Sequence, residues 1–213
     1  MLVEEIMSRE PVTVLTTATI REALQRTREK RIRHLPVAEG RRLVGLVTDR
    51  DLRDVCPSVL KPEDDELLDR TRVGDFMRTR VITVHPLDHV GEAARLLYLH
   101  KIGCLPVVSG GKLVGIVTET DILRSLVQLL GVLKPGSHVE VEVPDRPGML
   151  AEVAEIVRRH RTNITSMLTF PSPREGNTVL VFHLETIDPR RIIGEIEQAG
   201  YQIRWPRPEK EKP

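Results

Sequence analysis

The sequence predicts an α+β protein in two parts: a β-α-β-β-α unit that occurs twice and packs as one module, then a separate βαββαβ domain. Three observations predict this. PVTVLTTATIREAL (Pro11 to Leu24) and IRHLPVAEGRRLVGLVTDRDL (Ile32 to Leu52) return as VITVHPLDHVGEAA (Val81 to Ala94) and IGCLPVVSGGKLVGIVTETDI (Ile102 to Ile122). The offset is a constant 70, carrying Pro36 to Pro106, Thr48 to Thr118 and Asp51 to Asp121 without a gap. One copy of about 50 residues is too short to bury both faces of its own sheet, so the copies are expected to share a module. After Gly131 to Ser137, a segment rich in breakers, the pattern changes and does not repeat.

Within each copy a short β-branched run, Val12 to Val14 or Ile82 to Val84, precedes a helix. Apolar residues at helical spacing define it: Ile20, Ala23, Leu24 and Thr27 behind a Thr19/Glu22 capping box, and Val90, Ala93, Ala94 and Leu97 in the second copy. Leu35 to Ala38 and Leu43 to Thr48 flank Glu39-Gly40-Arg41, and Leu105 to Val108 and Leu113 to Thr118 flank Ser109-Gly110-Gly111. Each pair reads as a hairpin. A last helix opens near Asp49 or Asp51, and near Glu119 or Asp121, with carboxylates at its positive end.

Beyond the linker, His138 to Val143 alternates as a half-buried strand. Asp145-Arg146-Pro147-Gly148 is a turn into a helix with Leu150, Val153, Ala154 and Val157 on one face. Ile164 to Phe170 and Asn177 to Leu184 follow as strands, Asp188 caps a helix that Gly200 ends, and Tyr201 to Trp205 is the last strand. This is the ferredoxin-like order. The expected boundaries are 1–60 for the first repeat, 61–72 for a charged connector, 73–130 for the second repeat, 131–137 for the linker and 138–206 for the second domain, with 207–213 a disordered tail.

Composition narrows function mainly by exclusion. With 32 Lys plus Arg against 31 Asp plus Glu, no global field draws the chain to nucleic acid or an anionic membrane, and 3% aromatic residues are too few for base-stacking platforms. No apolar run approaches the roughly 20 residues of a membrane span. MLVEEIMSRE places acids where a secretory signal needs basic residues, so a cytoplasmic protein is expected. Cys56 and Cys104 lie in no metal or redox spacing. His85 and His89 are four apart but straddle Pro86 without the Glu of a zinc motif, so no metal site is expected. Nothing marks a catalytic residue, a phosphate-binding Gly-rich loop or a cofactor site, and the chain is expected not to be an enzyme.

Gly45-Leu46-Val47-Thr48-Asp49-Arg50-Asp51 and Gly115-Ile116-Val117-Thr118-Glu119-Thr120-Asp121, with the LPV strands before them, resemble the G-h-h-T-x-x-D signature of CBS motifs. The pair over residues 1–128 resembles a Bateman module. Asp145-Arg146-Pro147-Gly148-Met149-Leu150, with Asn163-Ile164, resembles an ACT domain over residues 137–206. The layout is similar to that of the acetoin-utilisation proteins of the AcuB type.

The resemblance implies an allosteric sensor with an adenine nucleotide (AMP, ADP, ATP or a related adenosyl compound) as regulatory ligand. It implies that Asp51 and Asp121 accept from ribose hydroxyls and that Thr48, Arg50, Thr118 and Thr120 face phosphates. It also implies that each cleft borrows the opening strand of the other repeat. Arg33, His34, Thr48, Arg50, Asp51, Arg78, Thr79 and Ile82 then form a cationic cleft, and Ser8, Val12, Thr118, Thr120 and Asp121 a nearly neutral one. Arg78 departs from the Ser or Thr usual in the family. The alternative for the two aspartates is a purely structural role at a helix start. Asp145, Gly148, Met149, Leu150 and Asn163 would hold an amino acid or small carboxylate; the alternative is a turn and helix start without a ligand. A homodimer or larger homo-oligomer and an unidentified protein partner are expected. The competing reading of the whole chain is an oligomerising scaffold with vestigial clefts.

Overall fold

The computed structural model describes residues 1–55 and 63–206, so Cys56, the start of the connector and the tail 207–213 lie outside the described residues. The chain divides into two compact units, Met1–Leu123 and Arg124–Pro213.

The first unit opens with α1 (Val3–Ile6) and the two-residue strand β1 (Ser8–Arg9). Next come α2 (Ile20–Lys30), β2 (His34–Glu39), β3 (Arg42–Thr48) and α3 (Asp49–Val55). The second copy supplies α5 (Val90–His100), β4 (Cys104–Ser109), β5 (Lys112–Thr118) and α6 (Glu119–Leu129), the last of which continues into the second unit. Between the copies, the charged stretch read as a connector forms a helix, α4 (Glu63–Arg70), followed by a 3-10 turn at Val73–Asp75. Glu66, Leu67 and Leu68 are good helix formers, Arg70 pairs with Glu66 one turn back, and Asp69 pairs with Arg21 of α2 at 2.6 Å.

The capping box on α2 forms as its spacing predicts: Thr19 Oγ1 accepts from the Glu22 N–H at 3.1 Å and Glu22 Oε2 from the Thr19 N–H at 3.0 Å. In α5 the cap is different. His89 Nδ1 accepts from the Gly91 N–H at 3.3 Å, and His85 Nδ1 from the Leu87 N–H at 3.2 Å, so both imidazoles of HPLDH serve backbone donors.

Both hairpins close at two residues, with Glu39 opposite Arg42 and Ser109 opposite Lys112. Each carries a register shift at the same place, between Val37 and Ala38 and between Val107 and Val108. The β-branched runs reach them only as parallel bridges, Val14 to Val37 and Val84 to Val107. The outer side of each hairpin meets the opening segment of the other repeat. Ser8 pairs with Ile116 and Arg9 with Gly115, while Arg78 bridges to Leu46. This crossing explains the glycine of the repeated signature. A Cβ at Gly45 would stand 3.1 Å from the Arg78 carbonyl oxygen and 2.5 Å from Met77 Sδ, and one at Gly115 would stand 3.0 Å from the Ser8 carbonyl and 2.6 Å from Met7 Sδ.

The cores follow the crossing. Val14, Ile20, Leu35, Val37 and Leu52 of the first repeat enclose Val73, with Phe76 and Met77 against them. Val84, Leu97, Leu105, Val107 and Val117 of the second enclose Val3, with Ile6 and Met7.

The second unit contains β6 (Ser137–Pro144), α7 (Met149–Arg159), β7 (Ile164–Pro171), β8 (Asn177–Leu184), α8 (Arg190–Gln198) and β9 (Gln202–Trp205). Its antiparallel sheet has the order β7-β8-β6-β9. Val139, Val141 and Val143 of β6 and Leu180, Phe182 and Leu184 of β8 bury one sheet face against Val153, Ile156 and Val157 of α7 and Ile192 and Ile196 of α8. The cap of α8 falls one residue later than expected. Pro189 holds the cap position, and Asp188 accepts from the Arg190 N–H at 3.2 Å while pairing with the Arg190 guanidinium. That pairing holds the Asp188 carboxyl down at about 2.

Candidate functional site

The start of α3 is organised by Thr48 and Asp51. Asp51 Oδ2 accepts from the Thr48 N–H at 2.9 Å and from Thr48 Oγ1 at 2.7 Å, and the Asp51 N–H returns to Thr48 Oγ1 at 3.1 Å. Thr118 and Asp121 reproduce the arrangement at α6, with distances of 2.9, 2.7 and 3.3 Å. T-x-x-D is thus a reciprocal helix-start box in both repeats, so its recurrence alone does not separate a structural role from a binding one.

What distinguishes the first box is Arg78, whose Nη2 lies 2.9 Å from Asp51 Oδ1. Burial opposes the Asp51 charge, but the hydrogen bonds from Thr48 and Arg78 outweigh it and hold the carboxyl below its ordinary pKa. Beside this box opens a cleft of ≈ 390 Å³, within the range of small-ligand sites. Of the first-cleft residues named from the sequence, Arg33, His34, Thr48, Arg50, Arg78 and Ile82 line it. Thr79 and Asp51 do not, although Asp51 binds two residues that do. Leu46, Val81 and Ile102 give it an apolar wall.

Sequence reasoning missed Asp49, Arg80, Lys101 and Glu119, all of which line the cleft, as do Gly103 and Cys104, the residues set against Arg33 and His34 across the repeat. The signal for Arg80 was its place two residues after Arg78 on the opening segment. Five cations, Arg33, Arg50, Arg78, Arg80 and Lys101, face two carboxylates, Asp49 and Glu119. Gly103 makes room for this convergence, since a Cβ there would stand 2.7 Å from His34 Nε2. The Cys104 thiol is pushed up to about 12 by burial, which removes it as a nucleophile near neutrality.

The second set stands apart from this cleft. Ser8 is in the strand pair with Ile116, Asp121 is buried in its box with Thr118, and neither they nor Val12 or Thr120 line it.

The pKa of His34 lies below its ordinary value. Burial, and then Arg33, lower its pKa against the opposing pull of Asp49, Glu119 and Asp51. A folded pKa below the unfolded one means the unfolded chain takes the proton first. Stability from the neutral imidazole is therefore present above about pH 6.5 and is lost as pH falls through that value towards the depressed one. Denaturant titrations between pH 5 and 7.5 are expected to show a slope that His34→Asn reduces; an identical slope in the variant would refute it.

In the second unit, the expected small-acid set does not converge within the chain. Asp145 to Leu150 sit beyond the Pro144 end of β6, which pairs with Asn177, whereas Asn163 precedes Ile164 at the Leu184 end. Seven register positions separate those ends, about 23 Å at strand spacing. The Asn163 amide instead donates to Glu185 Oε2 at 2.9 Å. The Asp145 turn keeps a helix start, where Gly148 takes φ 96° as the cap of α7.

Among the described residues no group of three or more His, Cys, Asp or Glu could hold a metal ion, and no helix is long and apolar enough to cross a membrane.

The family model of the CBS domain matches residues 3–58 and 73–128, and that of the ACT domain residues 137–200. A CBS domain-containing protein of Dictyostelium discoideum is 34% identical over 142 residues, 64% of this chain and 98% of that protein. Other relatives are longer: the chain spans 23% of an inosine-5′-monophosphate dehydrogenase of Korarchaeum cryptofilum, at 39% identity over 56% of its own length. Among solved structures it is similar to a protein assigned to acetoin utilization (AcuB) from Vibrio cholerae, with a TM-score of 0.54 and 35% identity over 63% of this chain and 96% of that one. It is also similar to CBSX2 in complex with AMP (TM-score 0.51, 32% identity, 60% and 96% covered). The CBS domain pair of protein MJ0100, in complex with 5′-methylthioadenosine and S-adenosyl-L-methionine, is a further match (TM-score 0.51, 29% identity, 59% and 99% covered).

Proposed function

Because this chain belongs to the CBS-domain family and carries an ACT domain after its tandem repeats, we propose that it is a non-catalytic allosteric sensor of adenine nucleotides in the cytoplasm. The observation that carries this reading is the cleft beside Thr48 and Asp51, where five cations from both repeats surround an apolar wall. Arg33, Arg50 and Arg78 serve phosphate oxygens, with His34 beside them, while Leu46, Val81 and Ile82 receive the base. Asp51 accepts from the ribose. The complexes of CBSX2 with AMP and of the MJ0100 pair with adenosyl compounds support the ligand class. Thr118, Thr120 and Asp121, with Ser8 and Val12, form a second and less charged place for a nucleoside.

The ACT domain receives an amino acid or small carboxylate at the Asp145 to Leu150 turn. The occupied protein, as a homodimer, regulates a metabolic partner, with acetoin utilisation the pathway suggested by the AcuB likeness. One observation favours the scaffold reading instead: both T-x-x-D boxes are satisfied internally, as a structural role requires.

A thermal-shift series separates the two readings, because a ligand bound by the native state alone stabilises it by RT ln(1 + [L]/Kd). AMP or ATP at a hundredfold excess over Kd is expected to add about 2.7 kcal/mol and raise the melting temperature by several degrees. No shift with AMP, ADP, ATP, adenosine or S-adenosylmethionine would leave the scaffold.

A further inference from the structure

Arg78 occupies the carboxylate oxygen of Asp51 that the helix-start box leaves open. Oδ2 already takes two donors from Thr48, and Oδ1 takes the Arg78 guanidinium at 2.9 Å. A ligand hydroxyl that donates to Oδ1 must therefore share that oxygen with Arg78 or displace it. The strand can stay in place while it does so. The Arg78 backbone exchanges two hydrogen bonds with Leu46, each 2.9 Å, whereas its side chain is 64% exposed. The same side chain lines the cleft shared with Arg33, Arg50 and Arg80. A guanidinium is permanently charged and forked, and phosphate oxygens match it as well as a carboxylate does.

We propose that Arg78 is a specificity-determining residue: it masks Asp51 in the empty cleft and yields to an adenosyl ligand that carries a phosphate able to receive it. The proposal rests on the adenosyl reading of this cleft given above. A nucleotide exchanges the Arg78–Asp51 bond for two others, ribose to Asp51 and phosphate to Arg78. A nucleoside supplies only the first and leaves the guanidinium without its carboxylate. The cleft thereby favours AMP over adenosine and 5′-methylthioadenosine. The chain carries its own uncharged counterpart, since Ser8 stands at the corresponding place in the first repeat and pairs with Ile116 as Arg78 does with Leu46.

The test is calorimetric titration of the full chain and its Arg78→Ser and Arg78→Lys variants with AMP and with adenosine. Arg78→Ser is expected to bind adenosine more tightly and AMP less tightly, so that the AMP-to-adenosine affinity ratio falls on the order of tenfold or more. Arg78→Lys, which keeps a charge on the same strand, is expected to retain a ratio closer to the parent's than to that of Arg78→Ser. A parent that binds AMP, with the ratio unchanged in Arg78→Ser, would overturn the masking role and leave the adenosyl reading intact. A parent and variants that bind neither compound would overturn both.

Discussion

Asp51→Ala is expected to weaken the tight, salt-sensitive component of ATP binding by roughly tenfold to a hundredfold, and Asp121→Ala to leave it in place. The asymmetry comes from what stands around two nearly identical boxes. Both aspartates hold their threonine N–H and hydroxyl at 2.9 and 2.7 Å, so the loss of the helix-start bonds costs each variant a similar amount, about 0.5–2 kcal/mol of stability. That common cost cancels in the comparison. What remains is the ligand. The Asp51 cleft brings Arg33, Arg50, Arg78, Arg80 and Lys101 within reach of phosphate, and each bond to a charged partner is worth roughly 1.5–3 kcal/mol before desolvation is subtracted. At the places 70 residues away, Gly103, Thr120, Ser8 and Glu10 stand for Arg33, Arg50, Arg78 and Arg80, and Lys101 alone has a cationic counterpart, Arg31. Titrations of both variants with ATP and with adenosine at two salt concentrations measure this directly. Equal losses for both ligands in both variants would sink the asymmetry. Asp51→Asn refines the result, because an amide oxygen can keep the box while losing the charge that holds Arg78.

Much of this arrangement was legible in the sequence, for a physical reason. Hairpins, caps and strands are local, and the 70-residue repeat let each be read twice: the Thr19/Glu22 box stands where its spacing puts it, and both hairpins form, each closing one residue tighter than the turns read at Glu39 to Arg41 and Ser109 to Gly111. The order of the second unit follows from its alternating strands and Gly-bounded helices in the same way. Contacts between residues remote in sequence were harder to read. Nothing local to Arg78 announces Asp51, 27 positions away, as its partner. Glu119 and Lys101 were assigned no part in the first cleft because only the opening segment of the second repeat was read as crossing into it. The helix at Glu63–Arg70 hid in a stretch whose charge suggested a solvated connector. Asn163 is the instructive failure, because topology alone could have prevented it. A strand followed by a return helix brings the next strand in at the end where the first began, so Asn163 and the Asp145 turn could not meet within one chain.

The largest loss of stability is expected from Val3→Asp, and it should appear in the repeat to which Val3 does not belong by sequence. Val3 is fully buried among Val84, Leu105, Val107 and Val117, and its N–H donates to the Asp88 carbonyl at 2.9 Å. A carboxylate there has no partner and must either remain charged in an apolar site or take up a proton. Either course costs on the order of 4 kcal/mol or more, a large part of the roughly 5–15 kcal/mol that holds a domain folded. The mirror substitution is Val73→Asp, since Val73 lies in the first repeat's core and donates to the Ala18 carbonyl at 2.8 Å. Native-state hydrogen exchange resolves the two, because sub-global opening exposes one hairpin before the other. Val3→Asp is expected to lower protection in β4 and β5 ahead of β2 and β3, and Val73→Asp to reverse that order. Protection lost first in β2 and β3 on Val3→Asp would mean that each repeat is stabilised by its own opening segment, and the crossed cores described above would be wrong.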